Sequence, residues 1–136
     1  MILIDANVLV YLFLRGDKTE AARALVELDS DWQSETFCLV EFSNVLATYV
    51  RSADLSQALA HSVLKEAEKF MHARLIAVSN SEALEAAIDF HVSAYDGRFL
   101  ALARRLNTRF VTENAKLRAT APDLTQSIAR TLGRAG

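Results

Sequence analysis

Residues 1–14 read MILIDANVLVYLFL, and this stretch sets the fold class. Ile2-Leu3-Ile4 is a short apolar run that stops at Asp5, which is typical of a buried strand in a parallel sheet. Asn7 then has the side chain of a helix N-cap, and residues 8–14 predict one apolar helix. A strand followed directly by a helix is the first half of a β-α-β unit, so the chain is expected to be α/β.

The remaining sequence repeats this alternation of strand and helix. Strands joined to helices by short turns predict right-handed crossovers and a parallel sheet covered on both faces. We therefore expect a three-layer α/β/α fold with a central, mainly parallel sheet, as one domain over residues 1–136. The pattern assigns no conformation after Pro122. The further strands are predicted at 32–35, 74–78 and 110–112, and the further helices at 19–28, 37–49 (capped by Thr36), from Asp54 or Ser56 to 71, from Ser79 or Ser81 to 92, 94–106 (capped by Ser93) and 114–118.

Composition excludes several classes of protein. The 136 residues are 51% hydrophobic and carry a formal net charge of −2, so any contact with nucleic acid would be local rather than spread over a basic surface. Four Gly and one Pro favour long helices over a many-stranded sandwich. The single Cys38 cannot form an intrachain disulfide or a thiolate metal site, and it indicates a core residue in a reducing cytoplasm. Asp5 and Asn7 interrupt the apolar residues 1–14, so this stretch is interpreted as core and not as a targeting segment.

Four side chains are expected at one edge of the sheet. Ligands of open parallel sheets bind beyond the carboxyl ends of the strands, where Asp5 directly follows the first strand and Asn114 follows the last. Asp96 and Glu41 each fall on the apolar stripe of a predicted helix, where an unpaired acid costs several kcal/mol. Carboxylates about 4 Å apart repel by roughly 4 kcal/mol per pair, so such a cluster requires a cation or bound protons. Oxygen ligands without His or Cys nearby suit Mg²⁺ or Mn²⁺.

Each of these acids also has a structural interpretation. Asp5 could cap the first helix, Glu41 could pair with an arginine, and Asp96 could be a first-turn acid that the helix dipole favours. Their common position at one edge is what points to a site. The three histidines show no paired spacing, which argues against a metal-free ribonuclease driven by imidazole; they are His61, His72 and His91.

Four stretches together resemble the PIN-domain nucleases, and more narrowly the VapC-type toxins of prokaryotic toxin–antitoxin pairs. They are IDAN at residues 4–7, Glu41 after an apolar helix start, AYDGRFLALA at 94–103 and FVTENAKL at 110–117. The resemblance extends from residue 1 to about residue 120. It implies an endoribonuclease that depends on Mg²⁺ or Mn²⁺, forms a homodimer and is held inactive by an antitoxin protein.

The resemblance also implies roles for individual residues. Asp5 and Asp96 match direct metal ligands, and Glu41 matches either a ligand through water or the base that orients the attacking water. Asn114 stands where an aspartate is commonest, as a weaker outer ligand. An amide brings no negative charge, so a PIN-like module that binds RNA or a protein without cleaving it is the alternative. Two small polar residues match positions that support the acids: Asn7 and Thr112.

The sequence also offers candidates for contacts to other molecules. Basic side chains near the predicted site are candidate contacts to RNA phosphates. The generous apolar content predicts a dimer interface on the helices spanning residues 37–71. The basic candidates are Arg15, Lys18, Arg98, Lys116 and Arg118.

Overall fold

The computed structural model describes residues 1–134, so the last two residues of the predicted 1–136 domain lie outside the described part. Five strands and eight helices alternate along it. The strands are β1 (Ile2–Ile4), β2 (Trp32–Glu35), β3 (Leu75–Ile76), β4 (Phe110–Val111) and β5 (Thr125–Gln126). The helices are α1 (Ala6–Phe13), α2 (Thr19–Leu28), α3 (Cys38–Arg51), α4 (Gln57–Phe70), α5 (Asn80–Phe90), α6 (Ala94–Leu106), α7 (Ala115–Thr120) and α8 (Ile128–Thr131).

The sheet is parallel throughout, with the strand order β3-β2-β1-β4-β5. β1 lies at the centre, where Ile2 pairs with Trp32 of β2 and Leu3 pairs with Phe110 of β4. The chain builds outward from β1 to β3 and then returns to the other side of β1 with β4. The carboxyl ends of β1 and β4 therefore lie side by side where the strand order reverses, the usual ligand position in open α/β sheets.

Helices cover both faces of the sheet, which confirms the three-layer prediction. α1 packs against α2, α3 and α4, while α6 packs against β2 and β4 and carries α5 on its outer side. Every residue of β1 is buried, as expected for a strand covered on both faces. Phe99 of α6 stacks on Phe110 of β4 with ring centroids 5.3 Å apart. The core is therefore continuous from the sheet into the α5–α6 layer.

Gly97 allows α5 and α6 to pack closely. A Cβ atom at this position would lie 2.5 Å from the backbone oxygen of Ala83, a distance that real Cβ atoms do not adopt. Since Gly97 directly follows Asp96, the close helix packing also determines where the Asp96 side chain is presented.

Several predicted boundaries were wrong, and the reasons are local. Asp5, not Asn7, caps α1, because its Oδ1 accepts the N–H of Val8 at 2.9 Å. Phe37 instead of Thr36 occupies the N-cap of α3, since the Thr36 hydroxyl donates to the carboxylate of Glu35. The two-residue strand β5 and the short helix α8 fill the segment that the pattern left unassigned. Within the described chain, no helix combines the length and apolar character needed to cross a membrane.

Candidate active site

Asp5 is held between two strands at the point where the strand order reverses. Its Oδ1 accepts a hydrogen bond from the Val8 N–H at the start of α1. Its Oδ2 accepts a 2.6 Å hydrogen bond from the hydroxyl of Thr112, the residue that follows β4. Thr112 in turn accepts the backbone N–H of Asn114 at 3.1 Å. Asp5 is only 8% exposed, yet each carboxylate oxygen keeps a second lone pair. It therefore caps the helix without losing the capacity to bind a ligand.

The three predicted acids are close enough for their charges to act on one another. Burial raises the pKa of Asp5 to about 6, with a further contribution from Asp96, against the lowering effect of the hydrogen bonds from Thr112 and Val8. Burial, followed by the charges of Asp96 and Asp5, raises the pKa of Glu41 to about 7. The pKa of Asp96 is also raised by burial, although a hydrogen bond with Ser93 lowers it.

Among the residues that the structure describes, no lysine or arginine forms an ion pair with this cluster. Among residues 1–134, neither Asp5, Glu41 nor Asp96 forms a salt bridge. Oxygen donors whose charges repel one another fit a hard divalent cation, which would relieve the repulsion. The described residues nevertheless contain no three acidic, histidine or cysteine side chains that converge closely enough to hold an ion as they stand. The donor set fits the cation in its chemistry, and binding would have to draw the side chains together.

Two clefts open at this edge of the sheet, and four of the predicted residues divide between them, whereas Asp5 and Thr112 line neither. Glu41 and Asn7 line a cleft of about 540 Å³, together with residues of α3 and Tyr95. Asp96 and Asn114 line a second cleft of about 230 Å³. The sequence neighbours Tyr95 and Asp96 thus line different clefts. Asn114 lies with Asp96 and does not share a cleft with Glu41.

Asn114 has a structural use of its own. Its Oδ1 accepts the N–H of Leu117 at 3.1 Å and caps α7, while the residue is exposed. Glu113 does not supply the charge that an amide lacks, because its carboxylate accepts a hydrogen bond from Lys18 at 3.1 Å and the N–H of Ile128 at 3.0 Å, away from the acids.

Most of the basic candidates are already bound within the protein. Lys18 pairs with Glu113, and Arg118 donates to the backbone oxygen of Thr112 at 2.9 Å. Lys116 lines the cleft beside Asp96 and forms no salt bridge within residues 1–134. It is thus a candidate phosphate contact next to the acids.

Glu35 is a site-supporting residue that the sequence patterns did not single out. It is fully buried at the end of β2, where Oε1 accepts the N–H of Phe37 at 2.6 Å and Oε2 accepts the N–H of Val78 at 3.1 Å. The guanidinium of Arg98 lies 3.6 Å from Oε2. Glu35 therefore ties the first turn of α3, which carries Glu41, to α6, which carries Asp96. Its position at the carboxyl end of a strand is the signal that would have found it.

The strand order of the sheet and the acidic cluster at its carboxyl edge can be compared with known proteins. The family model for the PIN domain matches residues 2–122. The chain belongs to the PIN-domain family. PIN domains are generally nucleases. No curated protein sequence gave a match.

Solved structures share the fold of this PIN-domain protein at low sequence identity. PAE2754 from Pyrobaculum aerophilum has a TM-score of 0.74 at 18% identity, with 97% of this chain and 93% of that chain covered. FitAB bound to the IR36 DNA fragment has a TM-score of 0.69 at 17% identity, covering 94% and 95%. FitAcB from Neisseria gonorrhoeae has a TM-score of 0.68 at 18% identity, covering 94% and 98%. At these identities the similarity establishes the fold alone.

Proposed function

We propose that this PIN-domain protein is an endoribonuclease dependent on Mg²⁺ or Mn²⁺ that acts as the toxin of a toxin–antitoxin pair. The observation that carries the proposal is the acidic cluster of Asp5, Glu41 and Asp96. Burial raises the pKa of Asp5 and of Glu41, the charge of Asp96 raises both further, and none of the three acids has a cationic partner within residues 1–134. If these acids had only a structural role, their mutual repulsion would lower the stability of the fold and no ion pair would offset it.

The three acids divide two roles in the proposed hydrolysis. Asp5 and Asp96 would hold the metal ion, and Glu41 would either hold it through water or accept the proton of the attacking water. In the metal-free protein, burial and the charges of Asp96 and Asp5 raise the pKa of Glu41 to about 7, and a bound cation would lower it. When bound, a divalent ion lowers the pKa of its water and stabilises charge on the scissile phosphate. The site then needs no nucleophilic side chain.

The neighbouring polar residues support this arrangement. Thr112 fixes the orientation of the Asp5 carboxylate through its 2.6 Å hydrogen bond. Asn7 is exposed in the cleft beside Glu41, where its amide is available to water or substrate. We assign Asn114 the part of a weaker outer ligand on the side of Asp96.

The alternative is a PIN-like module that binds RNA or a protein without cleaving it. Asn114 supports this alternative, because it brings no charge and its oxygen is already used to cap α7. The arrangement of the acids supports it as well, since no three of them converge closely enough to hold an ion as they stand within the described chain.

Cleavage by the purified protein separates the two possibilities. The protein is incubated with mixed cellular RNA in Mg²⁺, in Mn²⁺ and in excess chelator, and the new ends are identified. We expect cleavage only with metal, giving 5′-phosphate and 3′-hydroxyl ends, since water attacks phosphorus directly. Cleavage in chelator or 2′,3′-cyclic ends would overturn the mechanism. RNA binding without cleavage in any metal would favour the alternative.

The resemblance to VapC-type toxins extends the proposal to partners and location. We propose one domain over the whole chain that forms a homodimer and binds a cognate antitoxin. Exposed apolar residues on the helices between 37 and 71 support the dimer, among them Tyr49 and Leu59. The buried free thiol of Cys38 supports a cytoplasmic location. A monomer by light scattering at micromolar concentration would remove the dimer, and a short open reading frame directly upstream would support the antitoxin.

A further inference from the structure

The cleft beside Glu41 contains a stack of two aromatic rings that the proposed hydrolysis does not use. Phe37 at the N-cap of α3 and Tyr95 in the first turn of α6 stack with their ring centroids 5.3 Å apart and their planes 24° apart. Both rings line this cleft, and Tyr95 is 62% exposed. We call this pair the aromatic platform. The two stacked rings form a contiguous aromatic surface in the cleft, unlike a single exposed apolar side chain, and such a surface is typical of a binding site.

Arg98 supports the Phe37 ring of the platform. Its guanidinium lies 5.8 Å from the centre of the Phe37 ring, and it is itself anchored by Glu35 and by the side chain of Asn80. The guanidinium is therefore committed to structure and is not free to bind a phosphate. Because it holds the Phe37 ring, the Tyr95 ring that stacks on Phe37 has a defined orientation before any ligand arrives.

The surroundings of the platform suit a flat ligand with polar edges. Tyr95 directly precedes Asp96, and Glu41 lines the same cleft as the platform. Two exposed amides, Asn7 and Asn44, line it as well and can both donate and accept hydrogen bonds. An apolar protein surface placed here would bury the Glu41 carboxylate without a partner, whereas a nucleobase would stack on Tyr95 and leave its edges to the amides.

We propose that the aromatic platform of Phe37 and Tyr95 is a stacking subsite for one unpaired nucleobase of the RNA. This inference rests on the proposed function and narrows its substrate class. The faces of a base within a duplex are covered by its neighbours, so only a single-stranded or looped segment can place a base on Tyr95. The Asn7 and Asn44 amides then contact the edge of that base, which gives the subsite a preference among bases.

Binding of a short single-stranded RNA that contains 2-aminopurine tests the proposal. The measurement is made in excess chelator, so that it does not depend on cleavage. We expect Tyr95→Ala to raise the Kd about tenfold, the usual effect of losing one stacked base, and Tyr95→Phe to stay close to the parent protein. Ile88→Ala is the matched control, because Ile88 is a comparably exposed apolar residue (63%) on α5, and its Kd should not change.

Tyr95→Trp supplies a second readout in a variant that keeps an aromatic ring. The natural Trp32 is fully buried and gives a constant background. The fluorescence of the new indole should be quenched by the single-stranded RNA and not by a duplex of the same sequence. Quenching by both would overturn the proposal, as would an unchanged Kd in Tyr95→Ala.

The outcomes also separate this inference from the proposed function. An unchanged Kd in Tyr95→Ala together with a shift from dimer to monomer would assign the platform to an interface with a second copy and overturn the subsite. If single-stranded RNA fails to quench the fluorescence of Tyr95→Trp, and this variant still cleaves RNA with metal, the platform is refuted and the proposed hydrolysis stands. Stacking without any metal-dependent cleavage would refute the hydrolysis and support the platform.

Discussion

Asp5 combines a structural and a chemical use in one carboxylate. One oxygen caps α1 and the other accepts the Thr112 hydroxyl, so both hydrogen bonds favour the ionised form. Burial opposes them and leaves the pKa at about 6. The carboxylate is therefore fixed in orientation while its charge is only partly compensated. Both conditions favour the binding of a cation.

Asp96 is the residue at which activity and stability should respond in opposite directions. We expect Asp96→Asn to reduce cleavage by at least about 100-fold, because a direct ligand is lost. The same change should leave the metal-free protein as stable as before, or about 1 kcal/mol more stable, because a charge that repels Asp5 and Glu41 is removed. Metal-dependent cleavage and thermal unfolding in chelator check the two effects.

The control for this prediction is Asp89→Asn. Asp89 is exposed and pairs with Arg104 at 3.2 Å, so its loss should change stability by less than about 1 kcal/mol and leave cleavage intact. A marked fall in the melting temperature of metal-free Asp96→Asn would identify Asp96 as a structural acid instead.

Asn114 allows a test of whether its position belongs to the site. If it is an outer ligand, Asn114→Asp adds a negative charge beside the cation and should shift the metal titration of activity to a severalfold lower concentration. If it is only the cap of α7, Asp serves about as well as Asn and the midpoint should not move. An unchanged midpoint, with Asn114→Ala also active, would leave three acids to carry the chemistry.

The contact between α5 and α6 determines where Asp96 is presented. Gly97→Ala would push a Cβ atom against the backbone oxygen of Ala83, and backbone cannot move aside as a side chain can. We expect the free energy of unfolding to fall by about 1–3 kcal/mol, measured by denaturant titration. Gly16→Ala is the control, because nothing lies within 4 Å of a Cβ there, and its effect should stay within about 0.5 kcal/mol. Equal stability of the two variants would contradict the close packing.

Elements with strong local signals could be predicted from the sequence. α6 begins after its Ser93 cap at the predicted residue, and α2 has the predicted bounds, since a cap or a helical period is written within a few residues. β5 was not predicted, because two residues show no periodicity and the strand exists only through pairing with β4. α3 begins at Cys38 and not at the predicted residue 37, because the Thr36 hydroxyl donates to Glu35 instead of capping the helix.

The candidate site was predictable to the extent that it follows from strand ends. The rule that ligands bind at the carboxyl edge places Asp5 beside Thr112, although 107 residues separate them in sequence. The pairing of Glu35 with Arg98 and the stacking of Phe37 on Tyr95 depend on how α6 packs against β2, which no local pattern records. The division of the predicted residues between two clefts has the same origin.

At the scale of the whole molecule, a nearly neutral chain concentrates uncompensated acidity at one edge. The formal net charge is −2, and seven salt bridges are found among residues 1–134, but none of them involves the three acids of the cluster. This repulsion lowers the stability of the metal-free folded protein. It makes the stability of the fold depend on pH and on metal in a defined direction.

We expect the metal-free protein to be more stable at pH 5.5 than at pH 8. The pKa values of Asp5 and Glu41 are raised to about 6 and about 7, so the folded state binds protons more tightly than the unfolded chain, and stability falls as pH rises through this range. Glu82, whose pKa is lowered to about 2 by its hydrogen bond with Arg105, stays ionised throughout and does not interfere. Thermal unfolding in chelator should show a melting temperature at least about 3 °C higher at pH 5.5.

Two comparisons show whether the acidic cluster is the cause of that pH dependence. Glu41→Gln removes the group with the higher pKa, so its melting temperature should vary less between pH 5.5 and pH 8 than that of the parent protein. Mg²⁺ added at pH 8 should raise the melting temperature of the parent protein and have a smaller effect on the variant, because a ligand that binds only the folded state stabilises it. A melting temperature that rises from pH 5.5 to pH 8, or an equal pH dependence in Glu41→Gln, would mean that the three carboxylates do not share a repulsive cluster in solution.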